Sequence, residues 1–378
     1  MSALSGLKVA DFSWVGAGPR ATKDLADNGA TVIKIESRRR LDLGRRSPPF
    51  AGDPADVDGS AFFAQTNTSK KSVSINLSDP RGIEVARSLV AWADVVVENF
   101  GPGFMERIGL GFDMLREIKP DIILASVSVA GKTGPMAGFR GYGNSAAAHS
   151  GHAWLTGTSD APPHMPPLAY GDVVAPMFLT VAILAALEHR ARTGEGQHVD
   201  VSQIEPMVHV IADLYAGDAA AKTGNEDASC LLHGVFPTRE DDGWIAIVVE
   251  TGAQAEALMS TLNIPSLDTD TIAAATSGHD KFALFDLLGR AGVPAGPVLD
   301  GRDISENPEL RKAGHFVELD HPVLGRSDMP APPYRLHGTP GVITPAPLLG
   351  QHNREVFVDL LGLEPAEIDA LIEQGSLA

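Results

Sequence analysis

Residues Leu7–Glu36, LKVADFSWVGAGPRATKDLADNGATVIKIE, decide the fold class. Leu7 to Phe12 is an apolar run of strand length. Gly16-Ala17-Gly18-Pro19 makes a tight turn, and Pro19 suits the first position of a helix. The helix runs to about Asn28, and Gly29 ends it. Ala30 to Ile35 is a second strand, closing at Glu36. A strand, a helix and a strand in about 30 residues imply a crossover between parallel neighbours.

Outward from this unit the pattern repeats. Val73 to Leu77, Val95 to Asn99, Ile122 to Val127 and His198 to Val201 read as further strands. Asp79-Pro80 opens a helix to about Ala93. Residues 41–66 read as a long loop, and Phe139 to Ala153 as one helix. A Pro-rich loop (Pro162, Pro163, Pro166, Pro167) delivers the chain to Tyr170-Gly171-Asp172-Val173-Val174-Ala175-Pro176, and an apolar helix from about Met177 to Arg192 leaves it. The expected organisation is α/β: a large parallel-sheet domain over 1–215, a linker over 216–229 and a smaller α+β domain over 230–320. Residues 321–378 return, and their terminal helices (Arg354 to Leu361, Pro365 to Gln374) pack on the large domain.

At 378 residues, two domains are expected rather than one. The chain carries 48 acidic against 30 basic residues, a net charge of -18. That balance argues against nucleic-acid and anionic-membrane partners. The single cysteine, Cys230, excludes an internal disulfide and a cysteine-based zinc cage, and fits a reducing compartment. The first residues lack the pattern of a signal peptide. The run from Met177 to Leu187 is too short to span a bilayer. The expected location is cytoplasmic, away from membranes.

Three strand exits are followed by Gly, Asn, Lys or Arg: Ser37 to Arg46, Asn99 to Gly103 and Gly131 to Pro135. Lys70-Lys71 precedes another strand. In open parallel sheets, ligands bind beyond the carboxyl ends of strands. Basic and amide groups there suit a phosphorylated ligand, although each charge singly also fits a solvated surface. Gly16, Gly18 and Ala21 match the spacing G-x-G-x-x-A, with Glu36 near the place of a ribose-binding acid. A dinucleotide-dependent oxidoreductase is therefore one alternative, but no hydride-transfer site follows downstream. His149 and His152 have no partner in sequence and read as structural. Asp172 lies at a helix start, where a helix cap and a nucleophile are both consistent with its position.

Several blocks together carry a resemblance: Asp11 to Pro19, Val32 to Glu36, Asn67 to Leu77, Val97 to Gly103, Gly171-Asp172, Leu184 to Leu187 with Thr193 to Gln197, Asp320 to Gly325, and Pro347 to His352. Over nearly its whole length the chain resembles the family III CoA-transferases, the formyl-CoA, carnitine and benzylsuccinate transferase group. Gly141-Tyr142-Gly143 and Leu155-Thr156-Gly157 look closest to the benzylsuccinate-type branch. The resemblance implies a Rossmann-like large domain, a smaller inserted domain and two subunits interlocked as rings, as a homodimer or with a related subunit. It implies CoA and acyl-CoA as substrates, with neither metal nor nicotinamide cofactor.

Asp172 matches the family's catalytic aspartate, which forms a mixed anhydride and then an aspartyl-CoA thioester. By the same resemblance, Ala17, Arg39, Lys70, Asn99, Phe100, Arg107 and Arg140 belong to the CoA groove. Lys70 would meet the adenosine phosphates and Arg107 the pyrophosphate. Tyr142 matches a substrate-facing tyrosine. Gly16 stands where formyl-CoA transferases carry a substrate-binding glutamine, so an acid bulkier than oxalate is expected. Gly143 stands where an acidic residue often follows the tyrosine. Two alternatives share this fold: an α-methylacyl-CoA racemase, whose His-Asp pair is replaced here by Tyr142-Gly143, and a weakly active or structural subunit of a heteromeric transferase.

Overall fold

A computed structural model describes residues 1–53, 56–158, 160–215 and 222–377. The chain divides into two compact units, one of Met1–Ala153, Met165–Ala216 and Gly314–Ala378, the other of Trp154–His164 and Gly217–Ala313. Of the linker expected over 216–229, residues 216–221 lie outside the described residues, and 222–229 are turns and irregular chain.

In the first unit, six described strands form one sheet: β1 (Lys8–Asp11), β2 (Thr31–Glu36), β3 (Lys71–Ser74), β4 (Val95–Glu98), β5 (Ile123–Ser128) and β6 (His198–Ser202). Every pairing is parallel, and β1 registers on β2 with Lys8 opposite Thr31 and Asp11 opposite Lys34. The order is β3-β2-β1-β4-β5-β6, so the winding reverses between β1 and β4. That reversal opens a crevice beyond the carboxyl ends of the two strands.

Helices cover both faces, which explains the apolar strands. Ala10, Ile33, Val73 and Val96 point to the face packed by Val85, Leu89 and Val90 of the Pro80–Trp92 helix. Val9, Val32, Val95 and Val97 point to the opposite face, against Ala21 and Leu25 of α1 (Ala17–Asp27) and Leu179 and Ile183 of the Gly171–Thr193 helix. Each such large apolar side chain contributes about 1.5–3 kcal/mol by leaving water. The Gly171–Thr193 helix is long and apolar enough to cross a membrane, but its Val174, Ala175, Leu179, Ile183 and Ala186 are buried. Part of its apolarity serves the core, while Met177, Phe178, Val181 and Leu184 are exposed.

Four local expectations need correction. The loop over 41–66 contains a tight 3-10 turn, Leu43–Arg46, and a helix, Ala61–Thr66, whose start is capped by the Ser60 hydroxyl accepting from Phe63 N–H. The helix expected over 139–153 is two short helices, Gly143–His149 and His152–Leu155. The apolar helix begins at Gly171, not near Met177, so Asp172 is its second residue rather than a cap ahead of it. The return over 321–378, for which only terminal helices were expected, also holds one strand and the turn of an antiparallel hairpin, β10 (Phe316–His321) and β11 (Gly325–Pro330).

The second unit has a three-stranded antiparallel sheet, β7 (Leu232–Pro237), β8 (Trp244–Val249) and β9 (Ala295–Pro297). Leu258, Ile272, Leu284 and Leu288 pack its helices against Ile245 and Ile247.

The last part of the chain completes the first unit. β3 is an edge strand, and Gly350 to Asn353 cover its free edge. Ser72 N–H donates to His352 Nδ1 at 3.1 Å, His352 N–H to Ser72 O at 2.9 Å, and Ser74 N–H to Asn353 Oδ1 at 2.9 Å. Further along, Asn76 N–H donates to Ser376 O at 2.8 Å.

Candidate active site

The crevice at the winding reversal is a cleft of about 1200 Å³. Its walls are the exits of five strands: Trp14 to Gly16 after β1, Glu36 at the end of β2 with Ser37, Arg39 and Arg40 after it, Asn76 to Ser78 after β3, Asn99 to Pro102 after β4, and Ser128 and Val129 at the end of β5. Asp172 and Gln203 close one part of it, and Arg140 to Tyr142 flank them.

Asp172 is held from several sides. Gln203 Nε2 donates to its Oδ1 at 2.8 Å, and the Gly143 N–H also donates to its carboxylate. Burial pushes its carboxyl above the usual range; the Gln203 and Gly143 hydrogen bonds and the charge of Arg20 pull the other way. Two glycines let the helix starts come this close. A Cβ on Gly143 would sit 2.7 Å from Asp172 N and 2.9 Å from Ala169 O. A Cβ on Gly171 would sit 3.0 Å from Ala146 Cβ. Pro176 has no N–H to offer the Asp172 carbonyl four residues back. Position 143 thus contributes its main chain, and an acidic side chain there would collide with the helix start.

The turn before α1 is rigidly placed. Val15 is left-handed, with φ 64, an uncommon conformation for a β-branched residue. Its N–H donates to Asp42 Oδ1 at 2.9 Å. The Asn99 side chain clamps Trp14, accepting from its N–H at 2.8 Å and donating to its carbonyl at 2.7 Å. Gly16 follows, and a Cβ there would lie 3.0 Å from Asp172 Cγ.

Beneath this turn lies a buried ionic floor. Lys70 Nζ contacts Asp11 Oδ2 at 3.0 Å, Asn67 Oδ1 at 2.8 Å and Pro19 O at 2.9 Å. Lys34 pairs with Asp42 at 2.9 Å, and Arg45 with Glu36 at 2.7 Å. Burial pulls the Lys70 ammonium down to about 8 against the attraction of Asp11. Burial also pushes Asp11 up, but Lys70, Lys34, Ser13 and Thr22 outweigh it and leave the carboxyl low. The partners differ because Asp11 has two cations and two hydroxyls, whereas Lys70 also feels the repulsion of Lys34.

The cleft rim is basic and aromatic. Arg39, Arg40, Arg107 and Arg140 are exposed on it. Trp14 meets Phe100 edge-on with centroids 5.6 Å apart, and Phe100 meets Phe104 at 4.4 Å. Arg40 lies 5.5 Å from the Trp14 ring centre and Arg107 5.8 Å from that of Phe104. Such a row suits a long ligand with phosphates and a planar base.

Of the residues singled out in sequence, Gly16, Arg39, Asn99, Phe100, Arg107, Arg140, Tyr142 and Asp172 line this cleft. Tyr142 is exposed there. Asn99 does so with both amide groups engaged by Trp14. Ala17 is buried in the core against the sheet. Lys70 needs correction: its ammonium is buried in the floor and committed to Asp11, so it is not presented to adenosine phosphates. The dinucleotide reading loses its residues. The missing side chain of Gly18 makes room for Ser13, whose Cβ would lie 2.2 Å away. The Glu36 carboxylate is taken by Arg45 and Ser72. His149 packs edge-on against Phe139, and His152 lies beside Tyr170.

Sequence reasoning missed Gln203 and Arg20. Gln203 follows the exit of β6, so the strand-exit rule applied to the other strands would have found it. Arg20 lies one helical turn past Gly16, on α1, and no local signal marks it. Its Nε is buried without a partner, and burial lowers its pKa against the charges of Asp172 and Asp24.

A family model described as CoA-transferase family III matches residues 4–353. A succinyl-CoA:glutarate CoA-transferase of Mus musculus is 32% identical over 99% of this chain and 90% of its own length. A formyl-CoA:oxalate CoA-transferase of Rhodopseudomonas palustris is 30% identical over 100% of this chain and 97% of its own. The crystal structure of a CAIB/BAIF family protein from Brucella suis superposes with a TM-score of 0.87 at 29% identity, covering 95% of this chain and 99% of that one.

Proposed function

Because this chain belongs to CoA-transferase family III and so moves CoA between an acyl-CoA and a carboxylic acid, we propose that it does so through covalent intermediates on Asp172. The observation that carries the reading is the placement of Asp172: a carboxylate in the cleft, with donors on it from Gln203 and Gly143 and no side chain at Gly16. A carboxylate is ionised at neutral pH and needs no general base.

Asp172 attacks the thioester carbonyl of the donor, the C–S bond breaks, and CoA leaves as the thiolate. The thiolate attacks the aspartyl carbonyl of the mixed anhydride, releasing the donor acid and leaving an aspartyl-CoA thioester. The acceptor carboxylate attacks that thioester, and the steps run in reverse. Arg39, Arg107 and Arg140 face the phosphates of CoA, Phe100 lies along it, and Tyr142 faces the acyl group. Asp172→Ala abolishes transfer while CoA still binds, measured by exchange kinetics and by calorimetry; retained turnover sinks the mechanism. Hydroxylamine trapping at Asp172 in the presence of acyl-CoA separates this reading from a racemase, which forms no anhydride. Exchange by the purified chain alone separates it from a structural subunit.

The acceptor in this proposal is an acid larger than oxalate. Gly16 supports this, since any side chain there crowds the Asp172 carboxyl. The two relatives above act on glutarate and on oxalate by name, so family membership leaves the acid open. A panel of succinyl-CoA with oxalate, succinate and glutarate tests it: oxalate is the poorest acceptor, and Gly16→Gln lowers the rate with the larger acids. Equal or better use of oxalate removes the size argument.

Two copies are proposed to interlock, in keeping with the family resemblance. Met177, Phe178, Val181 and Leu184 leave an apolar face of the Gly171–Thr193 helix exposed on one chain, and a second copy would cover it. A monomeric mass in solution excludes this assembly.

A further inference from the structure

Gln203 sits where the reaction needs the two oxygens of Asp172 to be told apart. Its Nε2 donates to Oδ1 at 2.8 Å, and its side chain lines the cleft. An ionised carboxylate only accepts hydrogen bonds, so the amide nitrogen, not the amide oxygen, must face it. The residue is 5% exposed, and its own Oε1 is buried without a partner. An unmet buried acceptor weakens a fold, so this glutamine is poorly explained by packing alone.

Its main chain is fixed as well. Gln203 N–H donates to Ser128 O at 2.8 Å and to Val129 O at 3.1 Å, and Ile204 N–H donates to Val129 O at 3.1 Å. The Ser202 hydroxyl donates to the same Val129 carbonyl at 3.1 Å. The donor is therefore mounted on the paired ends of β5 and β6, not on a free loop.

The covalent chemistry treats the two oxygens unequally. One oxygen attacks the donor thioester and becomes the bridging oxygen of the anhydride. When CoA thiolate attacks the aspartyl carbon, the bond from that carbon to the bridging oxygen breaks. The bridging oxygen departs within the donor acid, and the other oxygen stays as the thioester carbonyl. The acceptor acid then supplies a new bridging oxygen, and its bond to the acyl carbon of the acceptor breaks when thiolate regenerates the acyl-CoA. Each turnover thus replaces one aspartyl oxygen and keeps the other.

We propose that Gln203 fixes which oxygen is kept: it holds Oδ1 as the permanent carbonyl oxygen, leaves Oδ2 to attack, and donates to Oδ1 when negative charge develops there. This rests on the covalent role assigned to Asp172 above. Gln203 is then a catalytic residue, since its donor touches a reacting atom. A preorganised donor on a developing oxyanion is commonly worth about a hundredfold or more in rate.

The test uses the full-length protein turning over succinyl-CoA with succinate labelled in both carboxylates with heavy oxygen, through many turnovers. The peptide containing Asp172 is then weighed. One heavy oxygen in the wild-type peptide, and two in Gln203→Met, is the expected result, because Met keeps the volume but lets the carboxylate rotate between turnovers. Gln203→Met also slows transfer by about a hundredfold or more. Two heavy oxygens in the wild type, or one in Gln203→Met, overturns the role of Gln203 while leaving the covalent aspartate intact. Turnover with no heavy oxygen in the peptide removes the anhydride itself, and this proposal with it. If Gln203→Met does not fold, the wild-type count and the count in Gln203→Leu decide.

Discussion

The floor beneath the cleft and the rim around it are both built from charge, yet they use it in opposite ways. The floor holds Asp11, Glu36 and Asp42 with Lys34, Arg45 and Lys70, all buried. Three acids meet three bases at 2.7 to 3.0 Å, so the set is neutral. The rim holds Arg39, Arg40, Arg107 and Arg140, exposed and, among the described residues, without an ion pair. The rim is thus a local excess of positive charge on a chain of net charge -18. Matched charge in the interior fixes geometry; unmatched charge at the surface is left for a ligand.

Two arginines sharpen this contrast. Arg45 is bidentate to Glu36, reaches Asp58 and Pro347 O, and stacks 3.6 Å from the Phe63 ring centre. Arg45→Met leaves Glu36 buried without its chief partner and destabilises the fold by about 3–5 kcal/mol, read from urea unfolding. If stability holds and only acyl-CoA affinity falls, the division into floor and rim breaks. Arg107→Met shows the converse. It changes unfolding by less than about 0.5 kcal/mol. It raises KM for acyl-CoA roughly tenfold, as expected for one charged contact, and makes binding less sensitive to salt.

The smallest effect lies between the two regions. Asp24 is half-buried on α1, and burial, with Asp27 adding to it, raises its carboxyl to about 6 from 3.8 despite Lys23, Lys70 and Arg20. Between those values the folded chain keeps a proton that the unfolded chain releases, so stability falls as pH rises through the window. Asp24→Asn removes this dependence. It stabilises the protein at neutral pH by about 1 kcal/mol after allowance for solvent screening, and has no effect at pH values below 3.8. Unfolding midpoints across pH measure it; a midpoint that is lowered at neutral pH refutes the assignment.

Much of the sheet was legible because buried parallel strands are written as local apolar runs. The Ala61–Thr66 helix was not, since six residues give too little periodicity against the surrounding Gly, Pro and Asp. The β10–β11 hairpin was hidden by its polar residues, Glu318, Asp320, Arg326 and Asp328, which mark exposed strand faces rather than a buried run. In the site, the position of Asp172 at a helix start fitted a cap as well as a nucleophile, and only the resemblance of several ordered blocks singled it out. Its partner Gln203 lies 31 residues away, and only the sheet brings them together. The burial of Lys70 was not legible, because a cation at a strand boundary looks the same in sequence whether it faces solvent or a buried Asp11; its assignment to the adenosine phosphates came from the resemblance alone.

The covered edge of β3 sets an order in time. Ser72 and Ser74 are made early, but the residues that pair with their N–H groups, His352 and Asn353, follow 280 and 279 residues later. At ordinary rates of synthesis the interval is on the order of tens of seconds. Throughout it the nascent sheet presents an open strand edge, the feature by which chains join one another. Crowded expression, or slow translation before residues 352 and 353 are made, therefore prolongs the exposure of an adhesive edge and penalises yield before any substrate is met.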